Sequence, residues 1–335
     1  MASINLVEDP LSQNNDGVAF PAVLKPTDGV APTPAQTFEW VKQHSDLLEA
    51  LCAKHGAVLL RGVGLHTAQE FHDLLMATGW AFGQNPHVGG GGPRNRVIGP
   101  VHTSTESPPH FHIPFHHELA YIVNPPSKLF FFCQTPSADA PDKVGGETPL
   151  LNSNRLLRKI EAKLPAFVGE LKAKGVRYVR VIQDRSNTGG DRYQKSWQEV
   201  FHAETREGAE QGARASGHDR VEWLENGAVR VTSIVFAPVR RDNRNGVETW
   251  FNAVVLLHPG AHPEKVDAGK LWDVTFGDDS PIANADVAAC KEIMNAEGMF
   301  FKYEVGDVLI VDNFIALHAR HPFTPPRLIL AAMVE

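Results

Sequence analysis

Cysteine is scarce: Cys52, Cys133 and Cys290 are the three in 335 residues, with no CxxC spacing. An odd number at unrelated positions excludes a disulfide framework and fits a reducing interior. Long apolar runs are missing as well, and no stretch approaches the roughly 20 residues that a membrane helix needs. Met1-Ala2-Ser3-Ile4-Asn5 has no basic region leading into an apolar core, so a cytoplasmic location without a membrane partner is expected. Positive charge is in deficit, with 32 Lys and Arg against 39 Asp and Glu for a formal charge of −7. Without a basic footprint, a nucleic-acid partner is not expected.

Several chemical signatures are also lacking. Gly89-Gly90-Gly91-Gly92 is followed by Pro93 and Arg94 rather than Lys-Ser/Thr. That excludes a phosphate loop and leaves a glycine-rich loop, expected near a site entrance. No serine sits in a Gly-x-Ser-x-Gly elbow and no cysteine has the setting of a nucleophile, which removes support for a nucleophilic hydrolase. No internal repeat is visible.

What is present is a chain with 42% hydrophobic residues, enough to bury one large core. Residues 1–36 carry Pro10, Pro21, Pro26, Pro32 and Pro34, and read as an extended N-terminal arm. Apolar spacing predicts a helix over Thr37–Lys54, a strand in the glycine-closed run His55–Gly62 and a helix from Thr67 to about Thr78. Leu129-Phe130-Phe131-Phe132-Cys133 reads as a fully buried strand. Asn152 or Ser153 is expected to cap a helix to about Lys163, a second helix follows over 165–174, and the segment 184–227, polar and poor in large apolar residues, reads as a lid or insertion with helices around 195–202 and 204–215. Strands are expected at 229–235, 249–255, 299–303, 308–311 and 328–334, with a helix near 284–296. Many short strands with helices before and between them predict an α+β chain with a mainly β core, a double-stranded β-helix or jelly roll.

The densest chemistry is His116-His117-Glu118, answered by the distant His318. In extended chain His116 and Glu118 point to one side and His117 to the other, where it reads as a packing histidine. With His318, expected just past the end of strand 308–312, they make the count of a 2-His-1-carboxylate site on iron(II) with open positions. Rivals remain at this level. His-x-Glu can lie on a polar strand face, His321 competes with His318, and His110 and His112 share strand parity with His116 in an all-histidine alternative.

The chain resembles the TauD/TfdA branch of the Fe(II)/2-oxoglutarate-dependent dioxygenases, especially its clavaminate-synthase-like and SyrP-like members. The stretches that carry the resemblance are Pro114–Glu118, Pro126–Cys133, Gly145-Gly146-Glu147-Thr148-Pro149, Trp250-Phe251-Asn252 and Gly306–Arg327, in the family's order. The resemblance implies one dioxygenase domain over 1–335, with His116, Glu118 and His318 as catalytic metal ligands. It implies Thr148 and Arg327 as the seat of the distal carboxylate of 2-oxoglutarate. Arginine suits that carboxylate independently, as a permanent cation with a planar donor fork. Fe(II), 2-oxoglutarate and O2 are the implied cofactor and co-substrates, with succinate and CO2 as co-products.

Halogenating relatives lack the carboxylate that Glu118 supplies, so hydroxylation of an unactivated C–H is expected, with desaturation, epoxidation and cyclisation as variants. Ala331 stands where sulfonate-oxidising members carry a second arginine, which argues against taurine. An amino acid or amino-acid-derived secondary metabolite, free or carrier-tethered, is the implied substrate, with Ser104, Thr105, Glu106 and Asn252 lining its polar end. A His2Glu zinc hydrolase and a non-catalytic regulatory member of the fold are the readings from other classes.

Overall fold

The computed structural model describes residues 4–7, 9, 11–15, 17–83, 94–140, 142–187, 195–262 and 271–335. Gly89–Gly92 and part of the expected lid lie outside them. Among the described residues, the largest sheet has eight strands in the order Ile4–Val7, Ala22–Pro26, Ala57–Leu60, Val308–Asp312, Lys128–Thr135, Leu328–Val334, Val101–Thr103 and Arg96–Ile98. A smaller sheet pairs Leu150–Asn152, Ala316–Arg320 and Ile113–His116, with Ala316–Arg320 in the middle.

The side-chain period of two explains why the central strands are apolar throughout. Phe130, Phe132, Val308 and Ile310 point to a core shared with Trp40, Leu48, Phe71, Leu74 and Leu75 of the N-terminal helices. Leu129, Phe131, Cys133, Leu309 and Val311 point the other way, into a core shared with Leu150 and Ala316 of the small sheet. Helices on one face and a second sheet on the other leave these strands no solvated side.

The N-terminal helical region is two helices, Pro34–Gln43 and Ser45–His55, rather than one continuous run. Thr33 opens the first with a capping box, its hydroxyl accepting from Gln36 N while the Gln36 side chain accepts from Thr33 N. Residues 1–36 are more than an arm over the domain. Ala22–Leu24 pairs in parallel with Val58–Leu60, and Ile4–Val7 pairs outside it.

Within residues 184–227 the two expected helices form, and their few apolar residues are buried. Helices Trp197–Phe201 and Arg206–Ala215 bury Trp197, Val200, Phe201, Ala209 and Ala213 with Ile182, Val229 and Val231 in a core of their own. The expected strand 249–255 stops at Trp250 and gives way to helix Val254–Leu257. The strand expected over 299–303 is absent as a strand; Met299 keeps one bridge to Leu150 while Phe301 and Tyr303 fill the core between the sheets.

Two buried charges pin this framework near the site. Asp307, fully buried before strand Val308–Asp312, receives Arg61 Nε at 3.0 Å and Nη2 at 2.6 Å. Glu147 accepts from Gly145 N, from Lys302 Nζ at 2.7 Å and from His321 Nδ1 at 3.0 Å. Burial alone would raise its pKa, yet those donors hold it down at about 2. Gly146 beside it has φ +74°, and a Cβ there would meet Ser137 Cβ at 2.6 Å and Arg327 Cδ at 3.1 Å.

Arg61→Met leaves the Asp307 carboxylate buried without its cation, and is expected to cost about 3 kcal/mol or more in urea denaturation. Arg61→Met with Asp307→Leu should recover most of that loss. The depressed pKa of Glu147 stabilises the fold above its ordinary value of 4.5, and that contribution fades as pH falls toward 2. Glu147→Gln is therefore expected to lower stability at neutral pH and to flatten the acid-side loss, read by denaturation across that window.

Candidate metal and co-substrate site

Cross-strand register builds the site. His318 lies directly opposite His116 in the small sheet, with Leu150 on its other side. Their rings stand 4.2 Å apart between centroids, tilted by 46°. His318 is thus held inside strand Ala316–Arg320, not on a loop past a strand end as its sequence setting predicts. Strand Ile113–His116 ends at the first histidine, so strand parity is not what brings Glu118 in. The chain turns just after it, through Leu119 at φ +55°.

Asn313 fixes that turn. Its side-chain oxygen accepts from Glu118 N at 2.7 Å, and its amide donates to Glu118 O at 2.9 Å and to Pro126 O at 2.8 Å. His117 faces away from the site, as alternation predicts. It is fully buried, with Nδ1 2.5 Å from Asn313 O and Nε2 2.6 Å from Trp250 O. Burial pushes its pKa down to about 4 against the pull of those carbonyls.

The result is one carboxylate oxygen facing two imidazoles. Glu118 Oε2 lies 4.0 Å from His116 Nε2 and 3.7 Å from His318 Nε2, too long for hydrogen bonds. One ligand atom from each of the three residues falls within 4.8 Å of the others, the spacing a shared metal ion requires. His116 Nδ1 is engaged with Pro114 O at 2.8 Å, which leaves Nε2 as the nitrogen with a lone pair. Burial lowers the pKa of both histidines and keeps them neutral, the form that ligates metal. Two neutral imidazoles and a carboxylate fit iron(II) with open positions.

The same cavity is lined by Thr148, Arg320, Arg327, Ser104 and Thr105, with Phe131, Ile113 and Ile329 as apolar wall. Arg327 Nε donates to Gly146 O at 2.8 Å, its one hydrogen bond among the described residues. That anchors the side chain while its terminal amines stay available to a ligand carboxylate. Burial lowers its pKa from the ordinary arginine value, so an anion beside it is favoured on desolvation grounds. Tyr303, absent from the sequence-level site, is buried beside Thr148 with its hydroxyl lacking a hydrogen bond of ordinary geometry.

Other expected residues go elsewhere. Glu106 accepts from Asn95 Nδ2 at 2.6 Å and Thr103 Oγ1 at 3.1 Å, and Asn252 bonds Pro238 O at 2.9 Å and Val254 N at 3.0 Å. Neither is in the cavity lining, because both are spent holding local turns. His321 is spent on Glu147, and His112 rests against His321, 5.9 Å between ring centroids. Arg94 was missed: Nη2 reaches Glu118 Oε2 at 2.7 Å, and the only sequence signal was a cation next to a glycine run.

The model of the taurine catabolism dioxygenase TauD, TfdA family matches residues 24–333. A clavaminate synthase-like protein of Arabidopsis thaliana is 36% identical over 344 residues, covering 100% of both chains. The dapdiamide synthesis protein DdaC of Enterobacter agglomerans is 28% identical over 297 residues, 86% of this chain and 84% of that one. Among solved structures, PvcB from Pseudomonas aeruginosa superposes with a TM-score of 0.53 at 15% identity, covering 99% of this chain and 91% of that one. A second PvcB structure, described as an Fe, alpha-ketoglutarate dependent oxygenase from an isonitrile synthetic pathway, gives a TM-score of 0.51 at 16% identity over 99% and 91% of the two chains. The family match spans nearly the whole chain, and the chain belongs to the TauD/TfdA family of dioxygenases.

Proposed function

We propose that this protein is a cytoplasmic, single-domain Fe(II)- and 2-oxoglutarate-dependent dioxygenase that hydroxylates a C–H bond of an amino acid or amino-acid-derived metabolite. The observation that carries the reading is one carboxylate oxygen facing two neutral imidazole nitrogens at 4.0 and 3.7 Å, in a cavity that also holds Thr148 and Arg327. Family membership supports the cofactors, and the relatives' names support the metabolite class. The facing eight- and three-stranded sheets are, in this reading, the jelly roll. Cys52, Cys133 and Cys290, buried and unbridged, suit a reducing compartment, and no helix among the described residues is long and apolar enough to cross a membrane.

His116, Glu118 and His318 would hold the iron. Bound there, iron supplies the oxidising chemistry that couples conversion of 2-oxoglutarate and O2 to succinate and CO2 with transfer of oxygen to the substrate. The protein's part is placement. Arg327 and Thr148 take the distal carboxylate of 2-oxoglutarate, the guanidinium giving charge and planar donors and the hydroxyl giving direction. Phe131, Ile113 and Ile329 keep the cavity wall apolar, and Ser104 and Thr105 border the substrate's end. Glu118 retains the carboxylate that hydroxylation uses.

Anaerobic addition of Fe(II) and 2-oxoglutarate is expected to give a visible charge-transfer band, followed by succinate when oxygen is admitted. His318→Ala should abolish both. Intact iron binding with neither band nor succinate would overturn the assignment, and substrate hydrolysis with zinc alone would favour the hydrolase. Arg327→Gln is expected to weaken 2-oxoglutarate binding by roughly tenfold to a hundredfold, the value of a charged hydrogen bond, with metal affinity retained.

A further inference from the structure

Arg94 holds the oxygen that a metal needs. Its Nη2 lies 2.7 Å from Glu118 Oε2, the atom that also faces His116 and His318, and 3.4 Å from Thr105 Oγ1. Its Nη1 lies 3.6 Å from Met333 Sδ. Arg94 and Thr105 line the same cavity as His116 and His318. A divalent ion bound at roughly 2 Å from Glu118 Oε2 would stand close to the guanidinium and compete with it for the same oxygen. A metal ion on Oε2 would draw that oxygen's charge away from Arg94 and leave the guanidinium less fully neutralised.

Charge balance says which component is left to supply an anion. Iron(II) and Arg327 are neutralised by Glu118 and the 2-oxoglutarate dianion, which leaves Arg94 and Arg320 over; the terminal amines of Arg320 are spent on the carbonyls of Ser107, Pro108 and Phe111, and those of Arg94 are not. Nearby groups add positive charge to that side. Lys195 has its pKa lowered by burial first, then by Arg94 and Arg180, with Glu199 and Glu118 acting the other way, and the acids close by are committed: Glu199 to Ser196 and Lys195, Glu106 to Asn95 and Thr103. Arg94 with Thr105 also repeats the chemistry of Arg327 with Thr148, a guanidinium beside a hydroxyl on the same cavity.

We infer that Arg94, with Thr105, is the seat of a free carboxylate on the primary substrate, vacated from Glu118 when the metal loads. This rests on the function proposed above and narrows it. The substrate presents its own carboxylate next to the reacting centre, and a molecule tethered as a thioester through that carboxylate would not be recognised. Arg94 then acts in specificity, and Arg327 in co-substrate binding.

The test loads the full-length protein anaerobically with Mn(II) and 2-oxoglutarate and titrates it calorimetrically. The probes are free L-amino acids and their N-acetyl derivatives, each beside its carboxamide. At least one carboxylate should bind, with its carboxamide weaker by about tenfold or more. Arg94→Gln should weaken that binding by about tenfold or more while 2-oxoglutarate affinity stays within about twofold, and Arg94→Lys should fall between. Circular dichroism and melting temperature report whether the variants fold, and Thr105→Val, expected to weaken carboxylate binding severalfold, serves where Arg94→Gln does not. The inference is overturned if no carboxylate in the panel binds, if amides bind as tightly as acids, or if Arg94→Gln leaves binding unchanged. It is equally overturned if Arg94→Gln costs about tenfold in 2-oxoglutarate affinity, which would give Arg94 to the co-substrate's own 1-carboxylate. Failure of the wild-type protein to bind Mn(II) and 2-oxoglutarate would instead strike the function proposed above.

Discussion

The site depends on the hydrogen bonds of one fully buried side chain, Asn313. It grips both backbone polar groups of Glu118 and the carbonyl of Pro126, while its own carbonyl lies against His117 and its own N–H donates to Ser127 O at 3.0 Å. A buried amide can satisfy itself so fully only if the turn after His116 and the end of strand Val308–Asp312 meet in one arrangement. Leaving any of those groups unpaired would cost roughly 1–3 kcal/mol, so the loop that carries Glu118 is locked to the strand that precedes His318. Arg61 and Asp307 fix the other end of that strand, so it is held against displacement at both ends.

On that frame, burial sets the charge states. Imidazoles taken out of water stay neutral and keep their lone pairs for a cation, while guanidinium groups taken out of water look for anions. The cavity joins both behaviours: His116 and His318 turn toward Glu118, and Arg327 and Arg94 stand at the edges with hydroxyls beside them. A dianionic co-substrate and a metal ion complete such a cavity electrostatically where apolar ligands would not.

Much of this was legible in residue order. Alternation put His117 on the opposite side from His116, the apolar run 129–133 announced a strand covered on both faces, and the family's motifs selected His318 over His321. The rest failed for identifiable reasons. The helix expected over 37–54 breaks at His44, and Met299–Tyr303 keeps an apolar pattern but fills the space between sheets, with Met299 alone bridging to Leu150. Glu106 and Asn252 carry the right chemistry, but turn geometry claims their side chains. Arg94 was invisible because nothing local ties it to Glu118, 24 residues on.

The sequence by itself determined the donor types, the apolar periodicity and the family motifs, since each is a property of residues within a short span. Only the tertiary structure decided that His116 and His318 are cross-strand partners, that Glu118 arrives by a turn and not by strand parity, and that Arg94 shares its oxygen. Those are relations between segments 24 to 202 residues apart. They follow from strand register and buried hydrogen bonds, which exist only once the sheets have closed on a common core.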